Sequence, residues 1–329
     1  MQPQVTVLWL NYNSMHLIDI TKKSIDAVLN IDYPNLEIIF LDNNSTDGSQ
    51  QVVEEYISEK RKNRNLRFVK LEKNCGYTGA MNHANSIRDP NSKYIALTHN
   101  DLIPNSDYLK KLVAFLESHK EIGAAQGIVV KLNDESLVDS YGFMMNEGLT
   151  TSSYYAGRPV SEIHKAAYVT FVEGTMPVYS LAALKTFNRG SELFVTAGFM
   201  YYLEDVFLSL KYWSNGFKCI AIPTVTGAHY RMGSSNKTSK GNLFHYLLRN
   251  RFALLYITNS ASKLGFYIQN IRKLIVSNRT VSERKAILFA LFEGFKLGRQ
   301  LKRQYGRIDL YRAPLIRNSL KTRLYNWMH

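Results

Sequence analysis

Four apolar, β-rich runs alternate with helical stretches over the first hundred residues, and that alternation leaves few folds open. The runs are "VTVLWL" from Val5, "LEIIFLD" ending at Asp42, "LRFVKLE" from Leu66 and "KYIALTHND" ending at Asp101. The first two have almost no polar positions, which marks strands covered on both faces. Between them, "HLIDITKKSIDAVLN" places Leu17, Ile20, Ile25 and Val28 near the helical period, and "DGSQQVVEEYISEKRK" and "GAMNHANSIRD" also read as helices. Strand and helix in strict alternation, with short connections, predict a mostly parallel sheet with right-handed crossovers.

In such a sheet ligands bind outside the carboxyl ends of the strands. Those ends read Asn11-Tyr12-Asn13, Asp42-Asn43-Asn44, Lys73-Asn74-Cys75-Gly76 and His99-Asn100-Asp101, all rich in groups able to hold a nucleoside. No GxGxxG and no GxxxxGK[ST] is present, so neither a dinucleotide fold nor a P-loop is indicated. Further on, "YLKKLVAFLESHKEIG" predicts a helix stopped at Gly123, and "AAQGIVVKL", "YVTFVEGTMPVYS" and "FKCIAIPTVTGAHY" predict strands. The Gly- and aromatic-rich "SYGFMMNEGLTTSSYYAGRP" between them lacks periodicity and predicts a loop or hairpin.

A charge asymmetry divides the chain. The net charge is +14, and from Arg231 onward the acidic residues are only Glu283, Glu293 and Asp309, against twenty Lys and Arg; the part before is slightly acidic. The basic part reads as amphipathic helices: "LFHYLLRNRFALLYI", "LGFYIQNIRKLIV" and "ERKAILFALFEGFKLGRQLKRQ". Such a tail expects a polyanion, and helices of this kind suit an anionic membrane surface. Their apolar faces could equally pack on the rest of the chain or on a second subunit in a homo-oligomer. No nucleic-acid-binding motif accompanies the charge. No apolar run approaches a membrane span, the N-terminus enters a strand-like run at once, and the two cysteines, Cys75 and Cys219, form no CxxC pair. A cytoplasmic protein, peripheral on the cytoplasmic face of the membrane, is the expectation.

The run "FMYYLEDVFLSL" poses a separate question, because adjacent Glu204 and Asp205 in apolar surroundings cost free energy unless compensated. A helix start, where the macrodipole is positive, accommodates them: Val206, Leu210 and Trp213 share one face and Gly216 fits a stop.

Taken in order, "NYNS", "LDNNSTDGS", "NCGYTGAMNHA", "HNDLIP", "EGT", "YLEDVFLSLKYWSNGF" and "AHY" resemble the motif series of the family 2 glycosyltransferases, inverting enzymes with the GT-A fold. The resemblance spans roughly residues 5 to 250. It implies an α/β fold in which a Rossmann-like, mostly parallel sheet is flanked by helices, followed here by the basic helical region. By this division residues 1–104 form the nucleotide-sugar half, 105–230 the acceptor half, and 231–329 the basic helices. By the same resemblance Tyr12 stacks on the base, Asp42 accepts from it, and Asn11, Asn74, Asn82 and Asn100 line the nucleoside pocket. Asp101 contacts the diphosphate through a divalent cation, Mn2+ or Mg2+, with His229 as a further ligand. The family usually has Asp-x-Asp or Asn-x-Asp where this chain has His99-Asn100-Asp101, so the first position departs from the pattern. Asp47 and Ser49 read as caps rather than ligands.

The resemblance also gives Glu204 and Asp205 a role. Inverting transfer needs a carboxylate that removes the acceptor hydroxyl's proton as its oxygen attacks the anomeric carbon. Asp205 is the expected base, with Glu204 orienting the acceptor. The expected donor is a UDP-, GDP- or dTDP-sugar, and the acceptor a lipid-linked or cell-surface glycan precursor. The competing class is a non-catalytic binder of nucleotide-sugar or of a polyanion such as nucleic acid.

Overall fold

The computed structural model describes residues 2–60, 65–153, 155–188, 192–194, 202–231, 240–275 and 280–317. The first half alternates as expected: β1 (Val5–Asn11), α1 (Ile18–Leu29), β2 (Leu36–Asp42), α2 (Ser49–Lys60), β3 (Leu66–Lys70), α3 (Gly76–Ser86) and β4 (Tyr94–His99). There follow β5 (Leu102–Pro104), α4 (Tyr108–Ser118), β6 (Ile122–Lys131), β7 (Asp134–Ser140), β8 (Met144–Asn146), β9 (Thr151–Ser152), β10 (Ala167–Tyr168) and β11 (Val178–Ser180). The chain continues through α5 (Leu181–Lys185), α6 (Glu204–Ser214), β12 (Lys218–His229), α7 (Lys240–Ile257), α8 (Lys263–Ile275), α9 (Val281–Tyr305) and β13 (Leu315–Ile316).

The main sheet runs β10-β12-β6-β11-β4-β1-β2-β3, with β5 on β12 and β7 on β6. β1, β2, β3 and β4 are mutually parallel, as is the pair β6 and β12, while β11 runs antiparallel between β4 and β6. Every residue of β1 and β2 is buried, which explains their unbroken apolar sequence. Alternate residues of β1 feed two cores: Val5, Val7 and Trp9 meet α1 and α4, while Leu8 and Leu10 meet α3 and the acceptor-side elements.

"YVTFVEGTMPVYS" is not one strand. Only its two ends enter named strands, β10 and β11, because the residues between serve other contacts. Phe171 bridges Phe143, the Val169 carbonyl accepts from the Trp213 indole, and the backbone departs from the sheet through Glu173 and Gly174. The expected irregular stretch contains a short hairpin, β8–β9, which pairs in parallel with β13 from far along the chain. The Thr170 hydroxyl donates to the Pro314 carbonyl beside that pairing.

The basic helices share the core of the sheet's second face through Phe252, Leu254, Ile257, Ala290, Leu297 and Leu301. α7 and α9 approach closely at two glycines. A Cβ at Gly294 would lie 2.5 Å from the Phe252 Cβ, and one at Gly298 2.8 Å from that of Tyr256. No helix among the described residues is long and apolar enough to cross a membrane.

Candidate active site

The carboxyl ends of β1, β2 and β4 meet in a polar knot. Asn11 is fully buried; its amide donates to Asp42 Oδ2 at 2.8 Å, and its carbonyl oxygen accepts from Ser14 Oγ at 2.6 Å and Asn100 Nδ2 at 3.2 Å. Asp42 also accepts from the Ser45 amide and hydroxyl, at 2.8 and 2.7 Å. Both residues therefore have their polar atoms engaged by protein and act as the frame of the strand-end loops. Tyr12, next in the chain, is 41% exposed and projects from that frame. Asp47 accepts from the Ser49 amide and hydroxyl and from the Met15 amide, tying the start of α2 to the loop after β1.

Asn74 and Asn43 are joined: Asn74 Oδ1 accepts from Asn43 Nδ2 at 3.1 Å and from the Gly76 amide at 2.8 Å. Asn82 lies apart from this cluster. Its carbonyl oxygen accepts from the amides of Leu193 and Phe194, and its amide donates to the Phe194 carbonyl. The side chain is thus occupied in fastening α3 to residues 193–194.

Asp101 and His229 face each other across the ends of β4 and β12, which β5 brings together by antiparallel pairing. His229 Nδ1 lies 2.8 Å from Asp139 Oδ2, and its Nε2 lies 3.6 Å from Asp101 Oδ2, too long for a hydrogen bond. Burial alone would lower the imidazole pKa, but the two carboxylates outweigh it and raise the value to about 9. Burial pushes Asp101 up, yet the facing His229 holds it below its ordinary value. Asp139 continues outward to Arg231, whose Nε donates to it at 2.6 Å and whose Nη2 reaches Glu173 at 3.3 Å.

His99 is not part of this charged chain. Burial lowers its pKa to about 4, so it is neutral, and its Nε2 lies 3.3 Å from the Tyr77 hydroxyl. Tyr77 extends the contact to the acceptor side, with its hydroxyl 3.4 Å from the Gly174 carbonyl.

Glu204 and Asp205 open α6, as the sequence predicts. The two residues before, Tyr202 and Leu203, have φ of +65° and +68°, a left-handed pair of non-glycine residues that is costly unless held by its surroundings. Asn250, fully buried on α7, donates to the Tyr202 carbonyl at 2.8 Å and supplies such a hold. Asp205 Oδ1 accepts from the Val206 amide at 2.7 Å and Oδ2 from the Gly174 amide at 3.3 Å. Burial first, and the nearby Glu173 second, raise the Asp205 pKa to about 7. Burial and Asp205 raise that of Glu204 as well, and Glu204 Oε2 is buried without a hydrogen-bond partner among the described residues. A carboxyl kept weakly acidic, anchored by two backbone amides, is equipped to take a proton.

Residues 6–163 match the family described as Glycosyl transferase family 2. Over that segment the chain is similar to family 2 glycosyltransferases. Among curated relatives, the putative teichuronic acid biosynthesis glycosyltransferase TuaG of Bacillus subtilis is 28% identical over 43% of this chain and 52% of its own. The poly-beta-1,6-N-acetyl-D-glucosamine synthase of Staphylococcus epidermidis is 25% identical over 37% of this chain and 28% of its own. The matches thus span about half or less of those relatives. Among solved structures, S. aureus TarS 1-349 in complex with UDP-GlcNAc superposes with a TM-score of 0.58 at 17% identity, covering 92% of this chain and 83% of that one. The mannosyltransferase PcManGT from Pyrobaculum calidifontis, in complex with GDP-Man and Mn2+, gives 0.51 at 18% identity, covering 92% and 76%. The fold of this chain is therefore GT-A.

Sequence reading did not single out Asp139, Arg231, Asn250 or Tyr77. Tyr77 and Arg231 stand inside or beside quoted motifs, but Asp139 and Asn250 reach the site from distant elements with no local signal.

Proposed function

We propose that this glycosyltransferase moves a sugar from a nucleotide-sugar to a hydroxyl of a cell-surface glycan precursor, with inversion at the anomeric carbon. The observation that carries the reading is Asp205: a buried carboxyl of raised pKa, fixed by the Val206 and Gly174 amides, joined through Tyr77 and His99 to the strand ends that hold the polar knot. In the step proposed, Asp205 takes the acceptor proton while the acceptor oxygen attacks the anomeric carbon. The bond to the diphosphate breaks on the opposite side, and the nucleoside diphosphate leaves. Tyr12 offers its exposed ring to the base and Asp42 holds the loop from which it projects.

A divalent cation, Mn2+ or Mg2+, would offset the charge developing on the leaving diphosphate. Among the described residues no group of three or more His, Cys, Asp or Glu is arranged to hold a metal ion alone. The Asp101–His229 pair nevertheless fits a shared site completed by diphosphate oxygens and water. The two side chains converge without hydrogen-bonding each other, and Asp139 orients the imidazole from behind, as an outer carboxylate does for a ligating histidine.

The test is calorimetric titration with UDP, GDP and dTDP, each with and without Mn2+, followed by transfer assays with the sugar forms of whichever binds. Metal-dependent binding of one nucleotide, with transfer lost in Asp205→Asn but nucleotide binding kept, supports the reading. Nucleotide binding without any transfer to glycan acceptors would leave a non-catalytic binder.

A further inference from the structure

The α8–α9 pair carries an apolar surface that the fold leaves uncovered among the described residues. On α8, Leu264, Ile268, Ile271 and Ile275 recur in steps of four and three residues, and all are exposed, Ile275 by 71%. On α9, Leu288, Phe289 and Phe292 are exposed by 55%, 59% and 71%. Single exposed leucines are ordinary, but a run of seven large apolar side chains on adjoining helices marks an interaction surface.

Its orientation is set by packing. Gly294 and Gly298 seat α9 on α7 with no room for a Cβ, and Ala290, Leu297 and Leu301 fill the same buried face. The opposite face of α9 therefore points outward. Along it stand Lys285, Phe289, Phe292, Lys296, Arg299 and Arg303, all exposed, in steps of four and three that keep them in one line. Two phenylalanines lie at the centre of this line, and cations flank them on both sides. α8 is tied to this helix by stacking of Tyr267 on Phe295, with ring centroids 5.2 Å apart.

The acidic residues that could neutralise the line are occupied. Glu283 closes the capping box with Thr280, and Glu293 meets His245 at 3.0 Å. Lys285, Lys296, Arg299 and Arg303 form no ion pair among the described residues. An apolar centre rimmed by one sign of charge disfavours a second copy, whose rim would carry the same sign. It matches an anionic bilayer surface, where rings enter below the headgroups and cations meet lipid phosphates.

We propose that the outer face of α8 and α9 docks this enzyme in the plane of an anionic membrane, with Phe289 and Phe292 inserted and Lys285, Lys296, Arg299 and Arg303 on the lipid phosphates. The proposal uses none of the residues assigned to the transfer reaction and stands independently of it.

The test is flotation of the full chain with vesicles of phosphatidylcholine alone or with phosphatidylglycerol added, at low and high salt. Binding is expected only to the anionic vesicles and is expected to weaken with salt. The double substitution Phe289→Gln with Phe292→Gln is expected to reduce binding at least about tenfold, as is Lys296→Glu with Arg299→Glu. Because these side chains are exposed, both variants are expected to keep the parent's circular dichroism and melting temperature. Binding to anionic vesicles that neither variant alters would overturn the proposal. So would failure of the parent to bind them, or a dimer in size-exclusion chromatography that the phenylalanine variant dissolves.

Discussion

Replacing Asp205 by Asn is expected to cost activity and to raise stability, and the structure sets the scale of both. The ordinary aspartate pKa of 3.8 rises to about 7 here. A folded value above the unfolded one means that the folded state holds the proton more tightly. The burden on stability is therefore absent below about pH 4, grows as pH rises toward 7, and is complete above it. At about 1.4 kcal/mol for each pKa unit, the ionised carboxylate weakens the fold by up to about 4 kcal/mol at alkaline pH. Asn removes that burden but keeps only one acceptor oxygen for the two amides of Val206 and Gly174. Loss of one such bond, with a donor turned toward a donor, costs about 1–2 kcal/mol. The variant is expected to gain about 2 kcal/mol at pH 8.5, a rise of a few degrees in melting temperature, and to lose about 1–2 kcal/mol at pH 4, where only the lost bond counts. Transfer should fall by about two to four orders of magnitude with nucleotide binding intact. Differential scanning calorimetry across pH, paired with a nucleoside-diphosphate release assay, reads both effects. A variant less stable than the parent at pH 8.5 would refute the burial argument, and one that transfers at the parental rate would refute the base.

Asn250→Ala removes the bond that holds the Tyr202 carbonyl in its left-handed turn. It is expected to lower kcat about fivefold or more with the donor KM unchanged, since one buried hydrogen bond is worth about 1 kcal/mol; an equal rise in KM would place Asn250 in donor binding instead. Asp139→Ala frees the imidazole of His229, and calorimetry is expected to show about 10–100-fold weaker Mn2+ in the nucleotide complex. Asn11→Ala leaves Ser14, Asp42 and Asn100 short of a partner in a buried knot and should destabilise the protein by about 2–3 kcal/mol, read by urea unfolding.

Much of the fold was legible because its central strands are covered on both faces and so write themselves as unbroken apolar runs. Leu36–Asp42 needed no other evidence. The start of α6 was legible for a similar reason, since acidic residues heading an apolar helical period mark a first turn. The stretch from Tyr168 to Ser180 misled because β-branched and aromatic residues satisfy packing as readily as pairing, and composition does not say which. The supports of the site were not legible for a geometric reason. Asp139 and His229 are separated by 90 positions, and only the pairing of β6 with both β7 and β12 brings them within a bond's reach. Tyr77 is an ordinary early-helix tyrosine until α3 sets its hydroxyl between His99 and Gly174.

The parallel pairing of β8 with β13 bears on the order in which the molecule can be finished as it is made. A chain emerging from its N-terminus can assemble β1 to β4 early, since those strands find partners nearby in sequence. The β8–β9 hairpin has no such option: Thr170 must wait for Pro314, 144 positions later, and Met145 for Leu315. We expect a nascent chain to possess its strand-end knot well before this hairpin is clasped. Ribosome-bound chains halted before β13 would then hold the strand-end knot with the β8–β9 hairpin still unclasped.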